Sequence, residues 1–202
     1  MRTLLDVTMR LPQDEPALWA CAILGDEQAF TTLYETHRVR VFGHALRSTR
    51  SAHDAEDVTA VVFLELWRNR RRVQPVNDSL IGWLLLTTNY VVRNHHRSAR
   101  RHRAALSRLS PPVAAENPSD AVDAGLDHVG QAAEIRHMFA QLTAKDQDIL
   151  TLCVLEEQTL LEASQALKIP VGTVKSRLSR AKYRMARLME ASPVYAQQRS
   201  AQ

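Results

Sequence analysis

Apolar residues recur along most of this chain at three- and four-residue steps, the spacing of α-helices that bury one face. After Gly25-Asp26, the residues Phe30, Leu33, His37, Val41 and Ala45 fall on one stripe, and Asp26 is placed to cap that helix. Asp54 opens the next predicted helix. Glu56 and Asp57 fall in its first turn, at the positive end of the dipole, and Val58, Val61, Val62, Leu66 and Trp67 follow at core spacing. Arg68 to Ser79 reads as a loop or broken helix around Pro75, and a further helix is predicted from near Leu80 through Trp83 to about Arg103. Four more are predicted: Glu134 to Leu142, Ala144 to about Leu155, Leu160 to Leu167, and Val171 to about Met189. No Val/Ile/Thr-rich alternation is bounded by turn residues, so strands are not expected.

The stretch Ser110 to Gly125 interrupts this periodicity. It holds three prolines, small residues and one sign of charge, and is expected to be a flexible linker. The predicted fold class is therefore all-α, with two small helical domains joined by that linker. The boundaries drawn are 1–16 for an N-terminal extension, 17–104 for the first domain, 105–130 for the linker, 131–190 for the second domain and 191–202 for a disordered tail.

Composition narrows the class. No apolar run reaches about 18 residues, so no membrane span is expected, and the acidic, core-less N-terminus does not read as a signal peptide. Cys21 and Cys153 lie far apart in apolar helical contexts and read as small buried hydrophobes, in keeping with a reducing cytoplasm.

The net charge of +4 is unevenly placed. Ser79 to Ala115 has no acid but holds Arg93, Arg97, Arg100, Arg101, Arg103 and Arg108. Ala163 to Met189 has none either, and holds Lys168, Lys175, Arg177, Arg180, Lys182, Arg184 and Arg187. Two basic blocks flank an acidic link with Glu116, Asp120, Asp123, Asp127 and Glu134. Solvated helices usually mix signs, so two contacts with a polyanion are the better reading.

The last two predicted helices carry the sharpest signal. A short helix, a break at Lys168-Ile169-Pro170 and a longer basic helix have helix-turn-helix form, with Pro170 suited to the first helical turn. Val174, Leu178, Ala181 and Met185 mark the buried stripe of the second helix. Thr173, Lys175, Ser176, Arg177, Ser179 and Arg180 point elsewhere and are the candidates for reading base edges in the major groove.

The segment LTAKDQDILTLCVLEEQTLLEASQALKIPVGTVKSRLSRAKYRM resembles region 4 of bacterial sigma factors. GDEQAFTTLYETHRVRVFGHALR, DAEDVTAVVFLELW and IGWLLLTTNYVVRNHHRSARR resemble region 2, in the right order, with the linker where region 3 is missing. That layout resembles sigma-70-family factors of the extracytoplasmic-function type. The resemblance covers about Leu18 to Met189.

The resemblance implies a transcription initiation factor with no cofactor and no metal. Its expected partners are core RNA polymerase (beta-prime clamp helices and beta flap), promoter DNA and, as a candidate, an anti-sigma factor. Asp54, Glu56, Asp57, Phe63 and Trp67 are implied as polymerase contacts. Arg70, Arg71, Arg72, Asn77, Arg93, Asn94, Arg97, Arg100 and Arg101 are implied at the minus-10 element, and the recognition-helix residues above at minus-35. Trp67 and Trp83 lie on apolar stripes and read as core ahead of base-stacking platforms. Ala60-Val61 stand where the family often has Gln-Glu, and Tyr90, after Asn89, where many relatives carry Asn. Lys168 stands where Gly commonly occupies the turn, which implies positive φ there.

Two other readings compete. A stand-alone helix-turn-helix regulator with a sensing or dimerising N-terminal half is disfavoured by the AEDV to LELW helix followed by an Arg-rich helix. A metal nuclease using Asp54, Glu56, Asp57 and a histidine lacks HxxEH-like spacing, a Gly-rich phosphate loop or a nucleophile elbow. His95, His96 and His102 sit among arginines that repel a cation and read as phosphate-facing surface.

Overall fold

A computed structural model describes residues 14–106 and 126–192, and side chains for all of these except 99–100, 103–106 and 126–131. The predicted linker core and the C-terminal tail lie outside these residues.

The first four helices are α1 (Glu15–Leu24), α2 (Glu27–Thr49), α3 (Ala52–Asn69) and α4 (Ile81–Leu106). Each of the first three is started by a short polar side chain. Asp14 accepts from Ala17 N–H, Asp26 from Gln28 and Ala29 N–H, and Ser51 from Asp54 N–H, groups that otherwise have no partner in a first turn. Ser51, not Asp54, therefore opens α3, and Asp54 sits inside the first turn. Gly25 ends α1 at φ 102°, where a side chain is disfavoured. Its N–H reaches Ala22 C=O at 3.0 Å and Asp26 N–H reaches Cys21 C=O at 3.1 Å, the paired closure of a Schellman turn.

The predicted α2 stripe is buried through Leu33, His37, Val41 and Ala45. It packs with Leu18, Trp19 and Ala22 of α1, Val58, Val62, Phe63 and Leu66 of α3, and Leu80 and Leu84 at the start of α4. Fully buried side chains such as Leu33, Leu66 and Leu84 contribute roughly 1.5–3 kcal/mol each by leaving water.

The second half holds α5 (Leu126–Gln141), α6 (Ala144–Leu150), a π-helical turn over Thr151–Leu155, α7 (Leu160–Leu167) and α8 (Val171–Ala191). Helix α5 begins within the predicted linker. Its core is built from Leu142, Ile149, Leu150, Leu152, Ala163, Val174 and Ala181, with Leu178 and Met185 half-buried against them. Among the described residues there is no strand beyond an isolated bridge between Val76 and Ser79, and no helix is long and apolar enough to cross a membrane.

A polar seam joins the halves. Asn89 of α4 is buried, and its amide donates to Asp148 Oδ1 at 3.1 Å and Thr151 Oγ1 at 3.0 Å. Its carbonyl oxygen lies 2.8 Å from His44 Nε2, so that nitrogen carries the proton. Arg93 reaches Asp148 at 3.0 Å and Gln147 at 3.3 Å, Arg40 pairs with Glu156, and Leu86 packs against the second core.

Candidate nucleic-acid interface

The C-terminal element is a helix-turn-helix whose turn is held at both ends. Thr159 and Glu162 form a reciprocal capping box at the start of α7. At its end Lys168 lies in the left-handed region, φ 53° and ψ 46°, as expected for a position usually given to glycine. Lys168 N–H bonds Gln165 C=O at 3.3 Å and Ile169 N–H bonds Ser164 C=O at 3.1 Å. Pro170 precedes α8 at its N-cap position, and is not inside the first turn. Its missing N–H is no loss there, and its C=O accepts from Thr173 and Val174 N–H.

Val174 and Ala181 anchor α8 on the core. Lys175, Ser176, Ser179 and Arg180 are exposed on its other side, with Thr173 and Arg177 half-buried. Arg177, Arg180 and Arg184 share a cleft of about 580 Å³ with Thr143, Lys145 and Asp146 from the start of α6. Asp146 is buried, held by Thr143 Oγ1 at 2.8 Å and by Arg184 at 2.5 Å. Its charge is thus matched by Arg184, which leaves Lys145, Arg177 and Arg180 as a net positive mouth suited to a phosphate. Sequence reasoning missed Lys145, which stands outside both acid-free blocks.

The second basic element is the connection between α3 and α4. Val76 and Ser79 exchange two backbone bonds, at 3.0 and 3.1 Å, around a tight turn whose two residues, Asn77 and Asp78, both have positive φ (51° and 56°). Asn and Asp tolerate that region best among non-glycine residues. Arg71, Arg72 and Asn77 are exposed on this loop. Arg70 folds back instead. Its guanidinium lies 4.1 Å from the Trp67 ring centroid and donates to Trp67 C=O at 2.8 Å.

The loop is tied to α1 by two side chains. Trp19 Nε1 donates to Val73 C=O at 3.3 Å. The Glu15 carboxylate accepts from Leu80 N–H at 2.5 Å, Ser79 Oγ at 3.2 Å and His37 Nε2 at 2.8 Å. Burial raises the Glu15 pKa, but the bonds from His37, Leu80 N–H and Ser79, with the His37 charge, outweigh it and hold the carboxyl below its ordinary range.

On α4 the predicted residues divide. Arg97 and Arg101 are exposed, as are His96 and His102. Asn94 is half-buried, Arg93 is engaged across the seam, and the Arg100 side chain lies outside the described residues. His95 is half-exposed, 3.7 Å from Asp54 on α3. Burial, with Arg47 nearby, pulls the His44 pKa down against the bond it donates to Asn89. Among the described residues no cluster of His, Cys, Asp and Glu is placed to hold a metal.

On the outer face of α3, Glu56 and Asp57 are exposed and Asp54 is half-buried. Phe63 corrects the sequence-based expectation of a surface contact. It is 4% exposed and packs edge-on against Tyr34, with ring centroids 4.7 Å apart. Trp67 is half-buried against Phe30, and Trp83 is half-buried on the same core. Exposed apolar surface on this helix comes instead from Val61 and Leu64, 41% and 44% exposed.

Comparison with known proteins matches these two halves separately. Residues 33–102 match the family model for Sigma-70 region 2, and residues 132–185 match Sigma-70, region 4. The chain is 29% identical over 179 residues to the ECF RNA polymerase sigma factor SigE of Mycolicibacterium smegmatis, covering 86% of this chain and 68% of that protein. It is 27% identical over 174 residues to the ECF RNA polymerase sigma factor SigK of Mycobacterium tuberculosis, covering 84% and 90%. Among solved structures, CnrH in complex with the cytosolic domain of CnrY shares the fold at a TM-score of 0.60 and 18% identity, over 88% of this chain and 98% of that one. With both region models matched in order and together spanning more than half of its length, the chain belongs to the sigma-70 family as a sigma factor of the extracytoplasmic-function type.

Proposed function

We infer that this chain binds core RNA polymerase and directs it to promoters, contributing recognition and DNA opening with no chemical step of its own. The observation that carries this reading is the presence of two exposed basic elements in one chain, the α3–α4 loop with α4 and the helix-turn-helix, each falling largely within a matched region. In this reading α8 presents Lys175, Ser176, Arg177, Ser179 and Arg180 to the minus-35 major groove, with Lys145 on a phosphate. Arg71, Arg72 and Asn77 read and hold the minus-10 strand, while Arg97 and Arg101 follow its phosphates.

The acidic and apolar face of α3, with Glu56, Asp57, Val61 and Leu64, docks on the beta-prime clamp helices. The exposed Val154, Leu155 and Leu161 face the beta flap. An anti-sigma factor is a fitting further partner, CnrH having been solved in complex with the cytosolic domain of a second protein, CnrY, and the cytoplasm is the compartment in which all these partners meet. The test is transcription by core polymerase, with and without the protein, on a promoter pool. Promoter-specific transcripts that require the protein support the reading. Tight sequence-specific binding by the free protein, with no effect on core polymerase, points to a stand-alone regulator.

A further inference from the structure

The loop from Val73 to Leu80 makes little structure of its own. Its internal order is one bridge, Val76 with Ser79, and a turn whose two residues both lie in the left-handed region. Yet its two ends are fixed from the same place, the helix α1, which precedes the region 2 match at residues 33–102. Trp19 holds the entry through Val73 C=O, and Glu15 holds the exit through Ser79 Oγ and Leu80 N–H.

The exit contact has a second effect. Leu80 accepts from Leu84 N–H at 3.0 Å and so stands at the mouth of α4. The Glu15 carboxylate therefore lies at the positive end of the α4 dipole and serves as its cap from a distance of 65 residues in sequence. His37, buried in α2, orients that carboxylate at 2.8 Å. Beside the burial of Val73 and Leu80 in the first core, the polar anchors that set the loop and the first turn of α4 are thus one carboxylate and one indole.

We propose that α1 is the positioning element of the minus-10 reader, with Glu15 and Trp19 setting which minus-10 sequence is opened although neither touches DNA. This rests on the assignment of the α3–α4 loop as that reader. The carboxylate is needed as such, because it accepts three bonds at once. A glutamine keeps the shape but turns one acceptor into a donor facing Leu80 N–H or His37.

The experiment uses the full chain with core polymerase and four variants: Glu15→Gln, Trp19→Phe, Asn77→Ala in the loop itself, and Val41→Ala in the same core but away from the loop. Two quantities are read, amide hydrogen exchange over residues 73–82 in the free protein and minus-10 preference in a promoter library. Glu15→Gln and Trp19→Phe should each speed exchange in that segment roughly tenfold, the equivalent of one lost bond to a charged or buried group. Both should shift minus-10 preference in the direction of Asn77→Ala and leave minus-35 preference unchanged. Val41→Ala should lower stability without shifting preference, which separates positioning from general destabilisation.

Unchanged exchange in the Glu15 and Trp19 variants overturns the proposal. So does a preference that moves with Asn77→Ala but not with Glu15→Gln, and in that case the loop stands as reader and α1 is only scaffold. If Asn77→Ala leaves preference unchanged as well, the loop is not the reader and both assignments fall.

Discussion

Replacing Lys168 by glycine should stabilise this protein, although it removes a side chain and adds no contact. Lys168 sits at φ 53° and ψ 46°, where a Cβ crowds the following carbonyl at a cost of about 1–2 kcal/mol. The position is not free to relax, because Lys168 N–H and Ile169 N–H close the end of α7 on Gln165 and Ser164, and Ile169 packs on the second core. Glycine removes the crowding but adds freedom to the unfolded chain, worth about 0.4–1 kcal/mol in the other direction. The balance is a gain of about 0–1.6 kcal/mol, centred near 0.8, which is about 2–3 °C in melting temperature for a chain of this size. Calorimetry of the whole chain measures it, with Lys168→Ala as the control that loses the ammonium but keeps the Cβ. Glycine should melt above both alanine and wild type. If alanine and glycine stabilise equally, the gain comes from charge in a basic helix-turn-helix and the backbone argument fails. If glycine lowers the melting point, the turn carries no strain.

Arg177→Ala should cost roughly 1–3 kcal/mol at particular minus-35 base pairs if its guanidinium reads guanine; a uniform loss over all promoter sequences in a binding screen assigns it to phosphate alongside Lys145. Removing Arg97, Arg100 and Arg101 together should weaken promoter binding and flatten its salt dependence by roughly one unit of slope per lost phosphate contact, with minus-10 preference unchanged. A library selection in which the triple variant changes preference reverses the roles given to α4 and the loop. Because the Glu15 pKa is lowered in the folded chain, its contribution to stability is present above the unfolded value of 4.5 and is lost as pH falls through the lower folded value. Glu15→Gln should therefore be less stable than wild type at neutral pH, with the gap closing on acidification in pH-dependent denaturation.

What could be read from the chain alone was local. Asp26 caps α2 because its side chain bonds the next turn, and Val174 and Ala181 are buried because they share a face of α8. Lys168 could be placed only through the family resemblance, which puts it where glycine commonly stands and so at positive φ. Errors arose where the deciding partner is elsewhere. Ser51 and Asp54 are both good first-turn residues, and only the observed bond from Asp54 N–H to Ser51 shows which is the cap. Phe63 shares α3 with exposed apolar residues, and Tyr34 of α2 decides that its ring is inside. The domain boundary drawn at 16/17 cuts off Glu15 and Pro16, the first turn of α1, although Asp14 and Pro16 are a start signal, because the worth of that turn lies in Glu15 meeting Leu80. The π-turn at Thr151–Leu155 continues a helical apolar pattern and leaves no mark in periodicity.

The seam at Asn89 has a consequence for how the two halves behave in time. Its contacts are largely polar: Asn89 to Asp148 and Thr151, Arg93 to Asp148 and Gln147, and Arg40 to Glu156, with Leu86 adding apolar packing. Water replaces such bonds well, so each contributes only about 0.5–1.5 kcal/mol net, or more where a charge is involved. The four bonds together contribute about 2–6 kcal/mol on this scale, and the charges on Arg93 and Asp148 and the Arg40–Glu156 pair add to that, so the open arrangement amounts to roughly 3% of molecules at most. An apolar seam of the same extent has no such replacement and holds far more tightly. A partner inverts these populations, without unfolding either core, once it prefers the open arrangement by about twice the cost of opening it, about 5.5 kcal/mol for a state populated at about 1%.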